Sequence, residues 1–293
     1  MKIQVLIDNL ESAENFCGFL QPEWGLSAFI QFQGKTILLD TGASEKFAEN
    51  AATLQVDLNS VDAGVLSHAH FDHANGMEAF FKVNDHANFY LRKDAGENCY
   101  HTHKFLKFFS YQEYIGIHRG WLKRYSERIK FVGSSSREAA SSPTEILPGV
   151  FLVGHNDTIF SAESRAAIAA RNGLSIKLNG KYLPDSFDHE QSLVFDTPQG
   201  LFIMNSCSHG GADNIVKEVE MAFPGKKIYA VLGGFHLYRT SDSQVRAFAE
   251  RLRDLDVQKI YTGHCTGNHA FEILKEVLGE KVRQMFTGME IEV

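Results

Sequence analysis

The chain has 293 residues, 44% hydrophobic and 12% aromatic, with a net charge of −7. That length supports one large domain or two small ones, and the acidic balance argues against non-specific nucleic-acid binding, which wants a basic face. The four cysteines, Cys17, Cys99, Cys207 and Cys265, form no CxxC pair, so a disulfide framework is excluded and a reducing, cytoplasmic setting is expected. No stretch approaches a membrane span, and Met1 to Asp8 becomes charged too early for a signal peptide.

Residues 2–7 read as a first strand. After a loop from Leu10 to Glu23, Trp24-Gly25-Leu26-Ser27 leads into a strand over 28–32. Gln33-Gly34-Lys35 is a hairpin turn, and the strand over 36–39 runs into Asp40-Thr41-Gly42. Ala63-Gly64-Val65-Leu66 is a short buried strand. At its end stands Ser67-His68-Ala69-His70-Phe71-Asp72-His73-Ala74-Asn75-Gly76, and Met77, Phe80 and Phe81 then recur at helical spacing. The cluster therefore sits where a strand ends and a helix begins, the edge at which open α/β folds place their chemistry. In an extended segment, side chains at i and i+2 point the same way, so His68 and His70 can grip one metal ion. A turn at Phe71 lets Asp72 and His73 face a second. Imidazole with carboxylate suits zinc first, with iron or manganese next. Two such ions side by side form a hydrolytic centre.

Asn88 to Leu91 looks like another strand. Residues 94–142 are rich in aromatic and basic side chains, among them Tyr100, Phe108, Tyr111, Trp121, Arg119 and Arg124, and end in a serine-rich loop. They read as an inserted, partly helical cap that roofs the site or forms a homo-oligomer interface, or equally as a helical insert whose aromatics are its ordinary core. His101 and His103 have no carboxylate neighbour in sequence and read as cap or surface histidines. Ile146 to Val153 holds a loop and a strand, and 160–186 a loop with a helical or hairpin excursion. His189 directly precedes a strand. The strand 201–205 ends in Ser206-Cys207-Ser208-His209-Gly210-Gly211, that over 228–232 in Gly233-Gly234-Phe235-His236, and that over 260–262 in Gly263-His264-Cys265-Thr266-Gly267. Three histidines at strand ends converge on one edge if the strands share an architecture. Ser241 to Gln244 is a capping-box start for a helix to about Asp254. A further helix runs to Leu278, stopped by Gly279, and 286–293 is read as a final strand. Gly210-Gly211 and Gly233-Gly234 offer backbone N–H groups to an anion, which makes a phosphate- or diphosphate-bearing substrate an option.

The run His-x-His-x-Asp-His resembles the signature of the metallo-β-lactamase superfamily. The resemblance implies an α/β fold, the αββα sandwich, as a single domain over 1–293 with 94–142 inserted in it. It implies a third ligand histidine before one strand, matched by His189, and a bridging aspartate after the next, where this chain has Cys207. A thiolate ligates zinc or iron well; His209, two residues on, is the alternative. His264 is implied as the closing ligand. Asp40 is implied as a carboxylate that orients metal-bound histidines, against a plain turn-closing role. His209 and His236 read as substrate contacts or supporting groups. The expected sets are His68, His70 and His189 on one divalent ion and Asp72, His73 and His264 on the other, with Cys207 between and Asp72 as proton acceptor. The motifs around Trp24, Cys207, His236 and His264 together resemble one branch of the superfamily. That branch is named for the methanopterin-pathway synthase that joins a dihydropterin diphosphate to a ribosyl-aminobenzene phosphate. The function expected is that of a metal-dependent hydrolase or transferase acting on a small molecule. The alternatives are an RNA or nucleotide phosphodiesterase, which would bring a basic arm, and a non-enzymatic metal-bearing sensor, which would show a degenerate ligand set.

Overall fold

A computed structural model describes residues 1–11, 19–105, 109–133 and 142–293. Cys17, Phe108 and the serine run at 134–136 lie outside them. The first sheet holds seven strands: β1 (Lys2–Ile7), β2 (Ser27–Phe32), β3 (Lys35–Leu39), β4 (Ala63–Val65), β5 (Asn88–Arg92), β8 (Ile129–Val132) and β18 (Glu290–Glu292). The second also holds seven: β9 (Thr144–Leu147), β10 (Val150–Gly154), β13 (Gln191–Thr197), β14 (Gly200–Met204), β15 (Ile228–Gly233), β16 (Lys259–Thr262) and β17 (Val282–Gln284). A third, four-stranded sheet joins β6 (Cys99–Phe105), β7 (Phe109–Tyr114), β11 (Leu174–Leu178) and β12 (Lys181–Pro184).

Strand periodicity sorts the core. Successive side chains of a strand face opposite ways. In β2, Ala28, Ile30 and Phe32 pack between the two large sheets, while Phe29 turns outward to Leu38 and Phe47. In β14, Phe202 and Met204 face the inter-sheet core, and Leu201 and Ile203 face the helices outside. Helices α1 (Lys46–Thr53) and α3 (Met77–Val83) cover the first sheet's outer face through Phe47, Ala51, Met77 and Phe80. Helices α6 (Ala212–Ala222), α7 (Asp242–Asp254) and α8 (Asn268–Leu278) cover the second. The layers are α, β, β, α, as the resemblance implied.

Strand direction decides where the chemistry falls. β3, β4 and β5 run parallel, and so do β14, β15 and β16. Parallel strands bring their carboxyl ends to one edge, so Asp40 and the histidine cluster meet His209, His236 and His264 there.

Four local expectations change. Among the described residues of the insert 94–142, the regular structure is β6, β7 and β8 with one helical turn, α4 (Trp121–Arg124). The 160–186 excursion holds both a helix, α5 (Ala162–Asn172), and the β11–β12 hairpin, whose β11 pairs with β6. The chain end is two short strands rather than one. Residues 285–289 cross from the second sheet to the first, with Met285 N–H donating to Thr262 O and Gly288 N–H to Val5 O. At α7, Ser241 is the N-cap residue, yet its hydroxyl donates to Gln244 Oε1 at 2.8 Å instead of capping the backbone.

The inter-sheet core makes a direct prediction. Phe195 is fully buried and packs edge-on against Phe32. Phe195→Ala is expected to lower unfolding free energy by about 3–5 kcal/mol, read by denaturant titration.

Candidate metal centre

β3 ends in Asp40, held at φ +55°, in the left-handed region. Its Oδ1 accepts from Ser67 N–H at 2.7 Å. Its Oδ2 accepts from Ser67 Oγ at 2.6 Å and from His73 Nδ1 at 2.8 Å. His68 Nδ1 lies 2.9 Å from the same Ser67 oxygen. With that hydroxyl donating to Asp40, its lone pair accepts from His68. One buried carboxylate thus fixes two imidazoles, one directly and one through Ser67.

The pattern repeats around the site. His209 Nδ1 lies 2.6 Å from Glu190 Oε2, and His264 Nδ1 lies 3.0 Å from Asn9 Oδ1. Each of these four rings spends Nδ1 on an outward acceptor and leaves Nε2 facing inward. An acceptor on one ring nitrogen selects the tautomer whose other nitrogen carries a lone pair. His68 Nε2 and His70 Nε2 are buried with no hydrogen-bond partner, a condition that costs about 1–3 kcal/mol per atom unless something satisfies it. Burial first, and neighbouring imidazoles second, push both rings well below the usual histidine range. They are neutral, the form that donates a lone pair to a cation. The donor set fits a divalent metal.

Two groupings lie side by side. Ligand atoms of His68, His70 and His209 all lie within 4.8 Å of one another, as do those of Asp72, His73 and His264. Asp72 Oδ2 is 3.6 Å from His73 Nε2 and 3.5 Å from His264 Nε2. Burial would raise this carboxyl, but His73 and His264 more than offset it and hold it well below the usual range. Cys207 Sγ lies 3.3 Å from His73 Nε2 and groups with His68 and His73.

His189 has a hydrogen-bond partner at each ring nitrogen. Its Nδ1 accepts Ala69 N–H at 3.1 Å, and its Nε2 faces Asp185 Oδ2 at 3.0 Å. A neutral imidazole has one lone pair, and the Ala69 amide takes it. The ring groups with Asp185, Cys99 and His70, while His209, the alternative to Cys207 as a ligand and otherwise a substrate contact or supporting group, stands beside His68 and His70.

The profile of the metallo-beta-lactamase superfamily matches residues 24–166. The 7,8-dihydropterin-6-methyl-4-(beta-D-ribofuranosyl)-aminobenzene-5'-phosphate synthase of Methanocaldococcus jannaschii is 30% identical, over 96% of both chains. The chain belongs to the metallo-beta-lactamase superfamily. It is an enzyme of that type and resembles the synthase's branch along nearly its whole length. A metal-dependent hydrolase of the superfamily superposes with TM-score 0.79 at 29% identity, covering 100% of this chain and 99% of that one. A diphosphatase of the PhnP family shares the fold at TM-score 0.53 and 15% identity, covering 100% of this chain and 97% of that one.

Divalent metal binding goes with the superfamily, and five of the candidate ligands in this chain line a cavity of about 400 Å³. His70, Asp72, Cys207, His209 and His264 line its floor. Trp24, Tyr238 and Arg239 line it too, as do His101, His103 and Glu113 of the third sheet. The insert therefore borders the site. His103 does have a carboxylate partner, Glu113 Oε2 at 2.6 Å, supplied across the β6–β7 pair. The glycine pairs serve packing. A Cβ on Gly233 would lie 1.8 Å from Asn205 O. The α6 start that follows Gly211 carries Asp213, which accepts from Arg251 at 2.6 Å. Among the described residues no helix is long and apolar enough to cross a membrane.

Sequence reading missed the groups behind His209. Glu190 Oε1 lies 3.4 Å from His155 Nε2, and His155 Nδ1 lies 3.1 Å from Glu218 Oε2. A signal for His155 was present: Gly154-His155 is another glycine-histidine pair at a strand end. Glu218 shows only as an acid on the buried face of α6. Burial pulls His155 down, but Glu218 and Glu190 more than offset it and raise it to about 9. A raised histidine stabilises the fold fully below its unfolded value, about 6.5, and loses that contribution as pH climbs through about 9. Stability is expected to fall across that window, and His155→Gln to flatten the fall, measured by denaturation at a series of pH values.

Proposed function

We propose that this chain is a metal-dependent hydrolase or transferase that works through a two-ion centre on a phosphate- or diphosphate-bearing small molecule. The observation that carries the reading is the convergence of inward-facing Nε2 atoms, with those of His68 and His70 buried without a partner, beside a cavity that His70, His209 and His264 line. His68, His70 and His209 would hold one ion. Asp72, His73 and His264 would hold the other, with Cys207 beside both. Zinc is the favoured metal, with iron or manganese next. When bound, such ions activate water and neutralise charge on a leaving oxygen.

The chain's own groups do the rest. Asp40 and Glu190 hold the rings in register from behind. Asp72 keeps an ionised oxygen between His73 and His264. Arg239 at the cavity wall, with its guanidinium 5.1 Å from the Tyr238 ring centre, is placed to meet an anionic group. The synthase relative, whose name specifies a 5'-phosphate product, supports a phosphorylated substrate.

The ligand assignment is tested by metal content. His209→Ala is expected to lose about one equivalent of zinc, and His189→Ala to keep the wild-type count, by mass spectrometry on zinc-loaded protein. Equal loss in both variants would restore His189 to the set. The activity is tested with the zinc-, iron- or manganese-loaded chain against phosphate monoesters, diesters and diphosphate esters, with and without an aryl amine acceptor. Turnover of a phosphate or diphosphate ester is expected, and no turnover of any class under any metal overturns the reading. On the substrate found, Arg239→Ala is expected to raise KM about tenfold or more, with kcat little changed.

A further inference from the structure

The loop after β14, the loop after β15 and the turn after β16 bring a second kind of donor together. Cys207 Sγ and Cys265 Sγ are 3.3 Å apart, both buried. A nitrogen of His236 lies within 4.8 Å of both sulfurs. His236 sits at φ +53°, in the left-handed region, a conformation that L residues bearing a β-carbon rarely adopt. Its Nδ1 is buried with no hydrogen-bond partner.

The surroundings are shaped around the Cys265 sulfur. His236 N–H donates to it at 3.3 Å, as backbone amides do toward metal-bound thiolates. Leu237 and Tyr238 N–H groups both donate to Cys265 O, at 3.0 and 3.2 Å, which wraps the 234–238 loop over the residue. A Cβ on Gly234 would lie 2.5 Å from the sulfur, so only glycine admits it there. All three side chains also line the cavity.

We propose that Cys207, Cys265 and His236 form a third, sulfur-rich metal subsite beside the histidine groupings, selective for a thiophilic ion such as zinc or ferrous iron. Two thiolates and one imidazole with a free position toward the cavity is a donor set known for catalytic zinc. Soft sulfur donors separate this subsite from the nitrogen and oxygen donors next to it. The inference goes beyond the two-ion reading and does not require it, although Cys207 borders both.

The test titrates the full-length chain, stripped of metal and kept reduced, with cobalt(II) and separately with zinc. A sulfur-to-cobalt charge-transfer band is expected, strongly weakened in Cys265→Ser and abolished in the Cys207→Ser, Cys265→Ser double variant. Zinc content should be about three equivalents in the wild type and about two in Cys265→Ser. His236→Ala retains both sulfurs. It should lose the same equivalent while far-ultraviolet circular dichroism stays unchanged, which carries the test if the serine variant misfolds. Two equivalents in the wild type, with a band indifferent to both Cys265→Ser and His236→Ala, overturns the subsite and leaves the two-ion reading standing. A sulfur band that survives His70→Ala, in a wild-type chain that binds only one equivalent, has the opposite meaning. It upholds the subsite and sinks the two-ion reading.

Discussion

The Asp40 carboxylate is the constraint on which the centre depends. Buried imidazoles in contact with one another have no reason to aim their Nε2 atoms at a common point. Asp40 supplies one by taking His73 Nδ1 directly and His68 Nδ1 through Ser67. Its other oxygen ties the histidine loop to β3 through Ser67 N–H. The loop is thereby fixed in place and tautomer by one carboxyl group. A buried carboxylate would be costly alone, and it is stable here because its neighbours donate to both oxygens.

The second sheet answers with the same device. Glu190 accepts from both the ring and the backbone N–H of His209. Asp8 and Asn9, just past β1, take the backbone N–H and ring Nδ1 of His264. Asp8 is itself pushed up to about 6, by burial above all. Backbone strain gathers at the same edge: Asp40, His236 and His264 all have left-handed φ without being glycine. Such strain persists only where surrounding contacts over-determine the conformation. Here those contacts come from both sheets, so the site is rigid because the sandwich is closed around it.

The cavity adds selectivity to this framework. Its floor comes from the two large sheets, and part of its wall comes from the third sheet, which the 94–142 and 160–186 segments build jointly. Fold and metal chemistry can therefore stay constant while substrate choice changes in the insert. That is the sense in which a shared superfamily does not fix a shared substrate.

The sequence by itself determined what repeats locally. Strand alternation located most of β1 to β5 and β13 to β16. Four ligand-type residues between a strand and a helix marked the site without any three-dimensional knowledge. Glycine-histidine strand ends named His236 and His264 as members of one edge. What only the tertiary structure decided are the pairings between distant segments. His189 and His209 are both histidines flanking strands of one sheet, and nothing in their spacing tells which one keeps a lone pair. That depends on Ala69, 120 residues from His189, and on Glu190, 19 residues from His209, alongside the local partner Asp185. The approach of Cys265 to Cys207 across 58 residues, and of Glu113 to His103 across 10, is likewise set by strand order and register. Sequence patterns report a residue's own backbone periodicity, whereas the hydrogen bond that orients a ring belongs to two segments that meet only once the sheets have formed.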